Sequence, residues 1–466
     1  MKLSGAIYVC ARELVAGRLG LDFPEARQAD LERGLIRTAR TSPASDPQTY
    51  LTWLATRRDD DPEWRRLAGH LTVGETYFFR DRACFEALEQ EVLPSLIAAR
   101  RSEGILRLRL WSAGCATGEE PYSLAILLDR LLPDRAEWAA TILATDINPA
   151  GLEAARRGRY REWSFRETPS WIRDRYFHRC TGETFELDPR IRRMVAFAPL
   201  NLGAGGYPTV VTNTSAMDLI LCRNVLMYFT PEAQRATVAR LQTALVAGGW
   251  LAVSPAEASV ELFRPLAPVN FFGATIYRKE EPSADGRPPT ADGRWLPSLQ
   301  AEAVLPHLQA PAVPIEISGD PVGSPPEEQS EAPPAPPTDL QRARSLANQG
   351  KLEDARHLCE AALARDRLDP DAHLLLAAIC QERNQIPAAL EALRRAIYLA
   401  PNFAPAHFLQ GTLLLREGKH RQGQRSMETV VSLLSPLPRD EAVPGGDGLT
   451  AGRLLETAQM YLELRR

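Results

Sequence analysis

The chain has 466 residues, 44% hydrophobic and 24% charged, with a formal charge of -4. That is the composition of a soluble globular protein with room for about two to four domains, and it argues against a general nucleic-acid binder. The seven cysteines (Cys10, Cys84, Cys115, Cys180, Cys222, Cys359, Cys380) are odd in number and form no CxxC pair, which argues against a zinc site or a disulfide framework and fits a reducing cytosol.

Met1–Cys10 is apolar but brief, and Arg12 and Glu13 cut it off, so it reads as no secretory leader. No apolar run reaches the roughly 18 residues of a membrane span. Residues 1–75 read as helical. Ala29–Arg40 and Thr49–Arg57 carry apolar residues at helical spacing, such as Leu31, Leu35 and Ile36, with Asp22-Phe-Pro as the expected cap before the second helix.

From residue 104 to 280 the pattern alternates. Strands are expected at Leu106–Trp111, Thr141–Thr145, Leu219–Cys222 and Trp250–Ser254, with helices at Pro121–Leu132 and Pro149–Arg157. This alternation predicts a parallel sheet covered on both faces. Residues 158–197 break the rhythm and suggest an inserted small subdomain. Glu281–Pro337 holds 14 of the 37 prolines and little apolar periodicity, so it reads as a disordered linker.

A repeat follows. Gly350, Asn384 and Gly418 are 34 residues apart, as are Ala343, Ala377 and Gly411, and Leu340, Leu374 and Phe408. Ala355 pairs with Ala389 and Ala362 with Ala396 at the same period, and Leu363, Ile397 and Val431 complete the set. Small residues at close helix crossings and a turn residue between helices resemble tetratricopeptide (TPR) repeats. The repeats are expected at about 336–369, 370–403 and 404–437, with a cap helix within 449–466 (Leu454–Leu464). The third is degenerate, with Gly423 and Val430 in place of alanines. His373 and His407 recur in register and read as packing or groove residues.

Leu108–Tyr122 reads LRLWSAGCATGEEPY: a strand, a loop of small residues, then a helix. Such a loop lets a ligand approach the backbone at the carboxyl end of a strand. Asp146 lies 28 residues past Gly118, at the end of the next strand, where a carboxylate can accept from a ribose diol. The pattern alone fits a dinucleotide or S-adenosylmethionine. Glu119 and Glu120 at the helix start would repel a diphosphate and suit a sulfonium with an ammonium, which favours S-adenosylmethionine.

Thr72–Asp81 (TVGETYFFRD), Trp111–Leu124 (WSAGCATGEEPYSL), Ala144–Pro149 (ATDINP), Phe197–Leu202 (FAPLNL) and Leu221–Phe229 (LCRNVLMYF) together resemble the ordered signatures of the CheR-type chemotaxis-receptor glutamate methyltransferases. The resemblance covers about residues 1–280, and the attached repeats resemble the WspC-type branch of that family. It implies an α/β fold: a Rossmann-like S-adenosylmethionine methyltransferase sheet with an N-terminal helical domain and a small β insertion, plus an all-α TPR solenoid. The implied domains are 1–80, 81–280, a linker 281–337 and repeats 338–466.

It also implies a cofactor, S-adenosyl-L-methionine, held by Thr76, Arg80, Glu119, Asp146, Asn201, Leu202, Arg223 and Asn224. Glu120 is the less certain loop acid. Arg80 and Tyr228 are the candidates for orienting an acceptor carboxylate. Arg33, Arg37 and Arg40 share one helix face and are candidates for docking an acidic receptor, or equally a solvated face. The implied partners are the cytoplasmic helices of transmembrane chemoreceptors and an unidentified protein or peptide on the repeats. No metal, nucleic acid or inserted membrane segment is expected, and the enzyme would be cytoplasmic, recruited to membrane receptors.

Gly74 stands where the family often has Asn, and Ser254-Pro-Ala-Glu257 where many members have Gly-His-Ser-Glu. The loop at Thr181–Leu187 looks short for a receptor-peptide binder. Phe78 and Phe79 read as core, and Cys115 and Cys222 as small fillers. Two other readings stay open: a methyltransferase on another acceptor, and a non-enzymatic scaffold for the repeats.

Overall fold

Four helices open the chain: α1 Gly5–Leu19, α2 Gln28–Ala39, α3 Pro47–Ala55 and α4 Pro62–Leu71. Asp46 and Asp61 cap the last two, each ahead of a proline at the first helical turn. α1 buries Tyr8, Ala11, Val15 and Leu19 on one stripe, which packs with Leu31, Leu35, Leu54 and Trp64 in a core of its own. Asp22 does not cap α2. Its carboxylate meets Arg12 and its N–H donates to the Tyr228 carbonyl at 2.7 Å, because the chain here runs out to the sheet domain before turning back. This computed structural model describes residues 4–44, 46–57, 61–180, 182–209, 211–280 and 338–463. The expected linker 281–337, Thr181 and Leu464 lie outside the described residues.

After α5 Arg82–Ala87 and α6 Leu93–Ser102 come β1 Arg107–Ala113, α7 Glu119–Leu131, β2 Ala139–Asp146 and α8 Pro149–Arg157. β3 Arg159–Arg161, α9 Ser170–Tyr176, β4 Phe177–Arg179, β5 Thr184–Leu187 and α10 Pro189–Arg192 form the insertion, with antiparallel order β3-β5-β4. The main sheet resumes with β6 Val195–Pro199, β7 Met217–Leu221, α11 Pro231–Ala244, β8 Leu245–Ala252, β9 Ala267–Phe271 and β10 Ala274–Arg278. Its order is β6-β2-β1-β7-β8-β10-β9, parallel through β8 and antiparallel in the last hairpin. Residues 195–197, expected in the insertion, begin β6 instead, where Phe197 pairs with Ala144.

The sheet separates two apolar layers. Leu108 and Leu110 of β1 face one, and Trp111 and Ala113 the other. Strand alternation places Arg107 and Arg109 on the Trp111 side, although the whole strand is buried.

The repeats form three antiparallel helix pairs: α12 Asp339–Asn348 with α13 Leu352–Arg365, α14 Pro370–Glu382 with α15 Ile386–Leu399, and α16 Ala404–Arg416 with α17 His420–Leu434. α18 Ala451–Glu463 follows. The period has a backbone cause: Gly350, Asn384 and Gly418 all have positive φ at the turn inside each pair. Ala343, Ala377, Ala355 and Ala389 are fully buried where the helices cross. His373 and His407 each bond the carbonyl six residues back, at Arg367 and Pro401.

The repeats dock on the amino edge of the sheet. Glu382 at the end of α14 pairs with Arg109 and, at 3.4 Å, with Arg107, and all three side chains are nearly inaccessible to water. Val211 of the sheet domain shares a core with Phe408, Leu449 and Leu454, and α18 packs against the edge strand β6. Removing one partner of a buried pair leaves the other charge uncompensated. Glu382→Ala is therefore expected to lower the stability of the full chain by about 3 kcal/mol in denaturant titration. Wild-type stability in that variant would show that the repeats do not rest on this edge.

Candidate active site

β1 ends in the loop Gly114–Gly118 before α7. Gly114 has φ +88°, and a Cβ there would lie 2.3 Å from a Val225 methyl. Gly118 has φ +94°, and a Cβ there would lie 2.7 Å from that of Ala155. Both positions need glycine. The loop is fixed to the end of β2: the Gly114 and Cys115 N–H groups donate to the Thr145 carbonyl, and the Ala116 N–H to Asp146 at 2.8 Å.

Around this edge lies a cavity that opens to solvent. Its walls come from Leu19–Arg27, Leu71–Arg80, the 114–117 loop, Asp146–Asn148, Leu200–Leu202 and Arg223–Phe229. Of the expected residues, Thr76, Arg80, Asp146, Asn201, Leu202, Arg223, Asn224 and Tyr228 all line it.

Glu119 does not line the cavity; Glu120 does. Successive helical residues turn by about 100°, so the two carboxylates face different ways. Glu119 accepts from Thr117 and Ser164 under the insertion. Glu120 accepts from Ser112 at 2.7 Å and pairs with Arg223 at 3.2 Å. Burial raises the pKa of both carboxyl groups.

Asp146 accepts the N–H groups of Ala116 and Asn148, both at 2.8 Å. Asn148, not Asp146, caps α8. Each oxygen of Asp146 keeps a lone pair for a ligand hydroxyl, and burial raises its pKa. Arg223 is almost wholly buried, paired with Asp81 and Glu120, and donates to the Arg80 carbonyl at 2.7 Å. Arg80 donates to the Glu75 carbonyl.

The sequence reading missed Arg27. It lines the cavity, and its guanidinium carbon lies 4.6 Å from the Phe23 ring centre and 4.9 Å from that of Tyr228. Only contact across two domains identifies it. Arg33 and Arg37 stand exposed on α2 and Arg40 at its C-cap, all outside the cavity. Phe78 is core, stacked 5.1 Å from Phe165. Cys115 and Cys222 are buried, with thiols pushed up by burial, which suppresses the reactive thiolate.

Glu257, noted only as a retained motif residue, holds the Arg223–Tyr228 loop from below. Its carboxylate accepts the N–H groups of Asn224 and Val225, both at 2.7 Å, and those of Met227 and Ser254, with the Ser254 hydroxyl in addition. Asn224 itself sits at φ +57°. A glutamine accepts at only one end, so Glu257→Gln turns some of these contacts into donor facing donor. It is expected to cost about 2 kcal/mol of stability. It should also weaken cofactor binding about tenfold, an order set by one or two lost hydrogen bonds. Calorimetry reads both, and wild-type values would show that the loop holds its shape without the carboxylate.

The family model for the CheR methyltransferase, SAM binding domain, matches residues 74–266, and one for a tetratricopeptide repeat matches residues 346–413. The "Probable biofilm formation methyltransferase WspC" of Pseudomonas aeruginosa is 30% identical over 88% of this chain and 95% of its own length. Its counterpart of the same name in Pseudomonas putida is 29% identical over the same shares. A "Probable chemotaxis protein methyltransferase" of Rhizobium etli is 36% identical over 41% of this chain and 70% of its own. The cavity, the repeats and these similarities agree: the chain belongs to the CheR methyltransferase family, as an S-adenosylmethionine-dependent enzyme with C-terminal tetratricopeptide repeats.

Proposed function

We propose that the enzyme methylates glutamate side chains on the cytoplasmic helices of chemoreceptors, with the repeats binding a second protein or peptide. The observation that carries this reading is the charge layout of the cavity. The cavity is lined by the carboxylates Asp146 and Glu120 and by the cations Arg27 and Arg80, with the Tyr228 ring against Arg27. A donor with a sulfonium, an ammonium and a ribose suits the carboxylates, and a carboxylate acceptor suits the cations.

Bound there, S-adenosylmethionine supplies a methyl group on a positively charged sulfur. Asp146 is proposed to take the ribose hydroxyls, Glu120 with Arg223 the amino-acid end, and Thr76, Asn201, Leu202 and Asn224 the remaining walls. Glu119 supports this wall through Ser164 rather than by contact. A glutamate with pKa near ~4.3 is already ionised, so no general base is needed. One carboxylate oxygen forms the bond to the methyl carbon as the carbon–sulfur bond breaks, leaving a methyl ester and a neutral thioether. Arg80 and Tyr228 hold the acceptor in line, and enclosure strips water from it.

The exposed face of Arg33, Arg37 and Arg40 suits an acidic receptor. No described helix is long and apolar enough to cross a membrane, so contact with receptors is proposed to be by docking. On the repeats, Arg367, Leu376, Arg394 and Tyr398 line a groove that suits a peptide.

The test is transfer of labelled methyl to chemoreceptor-bearing membranes, followed by mild alkali. A carboxyl methyl ester is released; label that survives alkali would overturn the glutamate assignment. Asp146→Ala is expected to weaken S-adenosylmethionine at least tenfold by calorimetry, as loss of two hydrogen bonds to a charged group requires. Tyr228→Phe should leave that affinity within about twofold and lower kcat by roughly tenfold, the scale of one orienting contact. Equal affinity in Asp146→Ala would remove the ribose role.

A further inference from the structure

The wall that closes the cavity on its outer side carries an aromatic and cationic stack that methyl transfer itself does not use. Val73, Gly74 and Glu75 both line the cavity and stand exposed, so the cavity opens to solvent beside them. This stretch is fastened to the 3-10 turn Glu162–Phe165 of the insertion. The Phe78 N–H donates to the Ser164 carbonyl at 2.9 Å, and the Thr168 hydroxyl to the Phe78 carbonyl at 3.1 Å.

Across that seam the Arg166 guanidinium lies between two rings. Its carbon is 3.8 Å from the Tyr77 ring centre and 4.4 Å from a ring of Trp163. It also donates to the Trp163 carbonyl and pairs with Glu75, both at 3.0 Å. The Tyr77 hydroxyl donates to Glu167 at 2.9 Å. The stack is thus held from several sides, yet Trp163 remains 67% exposed and Val73 55%. Arg80, on the cavity wall, lies 5.8 Å from the other ring neighbour, Tyr77. Cavity mouth, Arg80, Tyr77, Arg166 and Trp163 therefore form one continuous surface.

A large indole left in water is unfavourable for the isolated chain. Holding it at a fixed angle lowers the entropy lost when a partner covers it. Tryptophan, tyrosine and arginine are the side chains that carry most binding energy at protein interfaces. We propose that this stack is a docking surface for the acceptor protein, beside the mouth through which the reacting glutamate enters. The partner chemistry it fits is a helix with an apolar side chain for Trp163 and Val73, a few residues from the carboxylate that reaches Arg80. The inference rests on the acceptor being a protein, as proposed above.

The test uses the full chain with Trp163→Ala, and Phe272→Ala as a control, since Phe272 is fully exposed on the β9–β10 hairpin. Three quantities are measured: cofactor affinity by calorimetry, kcat and KM for methyl transfer to chemoreceptor-bearing vesicles, and co-sedimentation with those vesicles. Trp163→Ala is expected to raise KM and weaken co-sedimentation by about tenfold or more, the scale of one interface anchor. kcat and cofactor affinity should stay within about twofold, and Phe272→Ala should match wild type throughout. An unchanged KM in a Trp163→Ala enzyme that still binds cofactor overturns the surface, as does an equal loss in Phe272→Ala. A wild-type enzyme that binds cofactor but neither sediments with nor methylates the vesicles overturns the receptor assignment and this surface together.

Discussion

One buried guanidinium joins the parts that must meet around the cofactor. Arg223 leaves the end of β7 and reaches Glu120 at the start of α7, Asp81 before α5, and the Arg80 carbonyl. A charge taken out of water at such cost is tolerable only when it is paired, and here its two terminal nitrogens are met by two segments far apart in sequence, residues 80–81 and Glu120. The pairing fixes where the TYFFR segment lies relative to the glycine loop. It also changes what the acidic pair at the helix start means. Glu120 acts on a ligand as one half of a neutralised pair, so the cavity floor is less negative than two adjacent glutamates suggest, and Asp146 becomes the carboxylate without a cationic side chain against it among the described contacts.

The N-terminal helices complete the site rather than accompany it. Leu21 bridges to Phe229, the Asp22 N–H donates to the Tyr228 carbonyl, and the Thr230 N–H donates to the Gly20 carbonyl. Gly203 lets this crossing happen, since a Cβ there would lie 2.5 Å from the Leu19 carbonyl oxygen. Tyr228 is consequently held by strand-like bonds from the helical domain on one side and by the Glu257-anchored loop on the other. The backbone of Tyr228 is so fixed, and its ring lies against Arg27, which suits the orienting role proposed for it.

Local chemistry was legible in the sequence, and contact between distant segments was not. The 34-residue spacing of Gly350, Asn384 and Gly418 marked the left-handed turns, because backbone conformation restricts residue type one position at a time. Pro149–Arg157 was readable to the residue, since Asn148 and Pro149 are a cap and a first turn. The roles of Asp22 and Arg27 depend on what lies across a domain boundary, and no spacing along the chain encodes that. The choice between Glu119 and Glu120 turned on about 100° of helix phase, set by where α7 begins. The β9–β10 hairpin was missed because its strands lie at the sheet edge, half-buried and weakly patterned.

The two ends of the sheet carry different work. Cofactor loops occupy the carboxyl edge, where strand ends leave a crevice, and the repeats rest on the amino edge through Glu382, Arg107 and Arg109. β1 connects them directly: the strand that carries both arginines runs on into the loop of Gly114, and Asp218 on β7 bonds Arg100 and the Arg109 backbone beside it. β1 is therefore the shortest stretch of chain between the docked repeats and the glycine loop, buried along its whole length. A ligand of the repeats changes the cofactor site only through a difference in its affinity for two arrangements of the chain, and one that binds both equally has no effect, however tightly it binds.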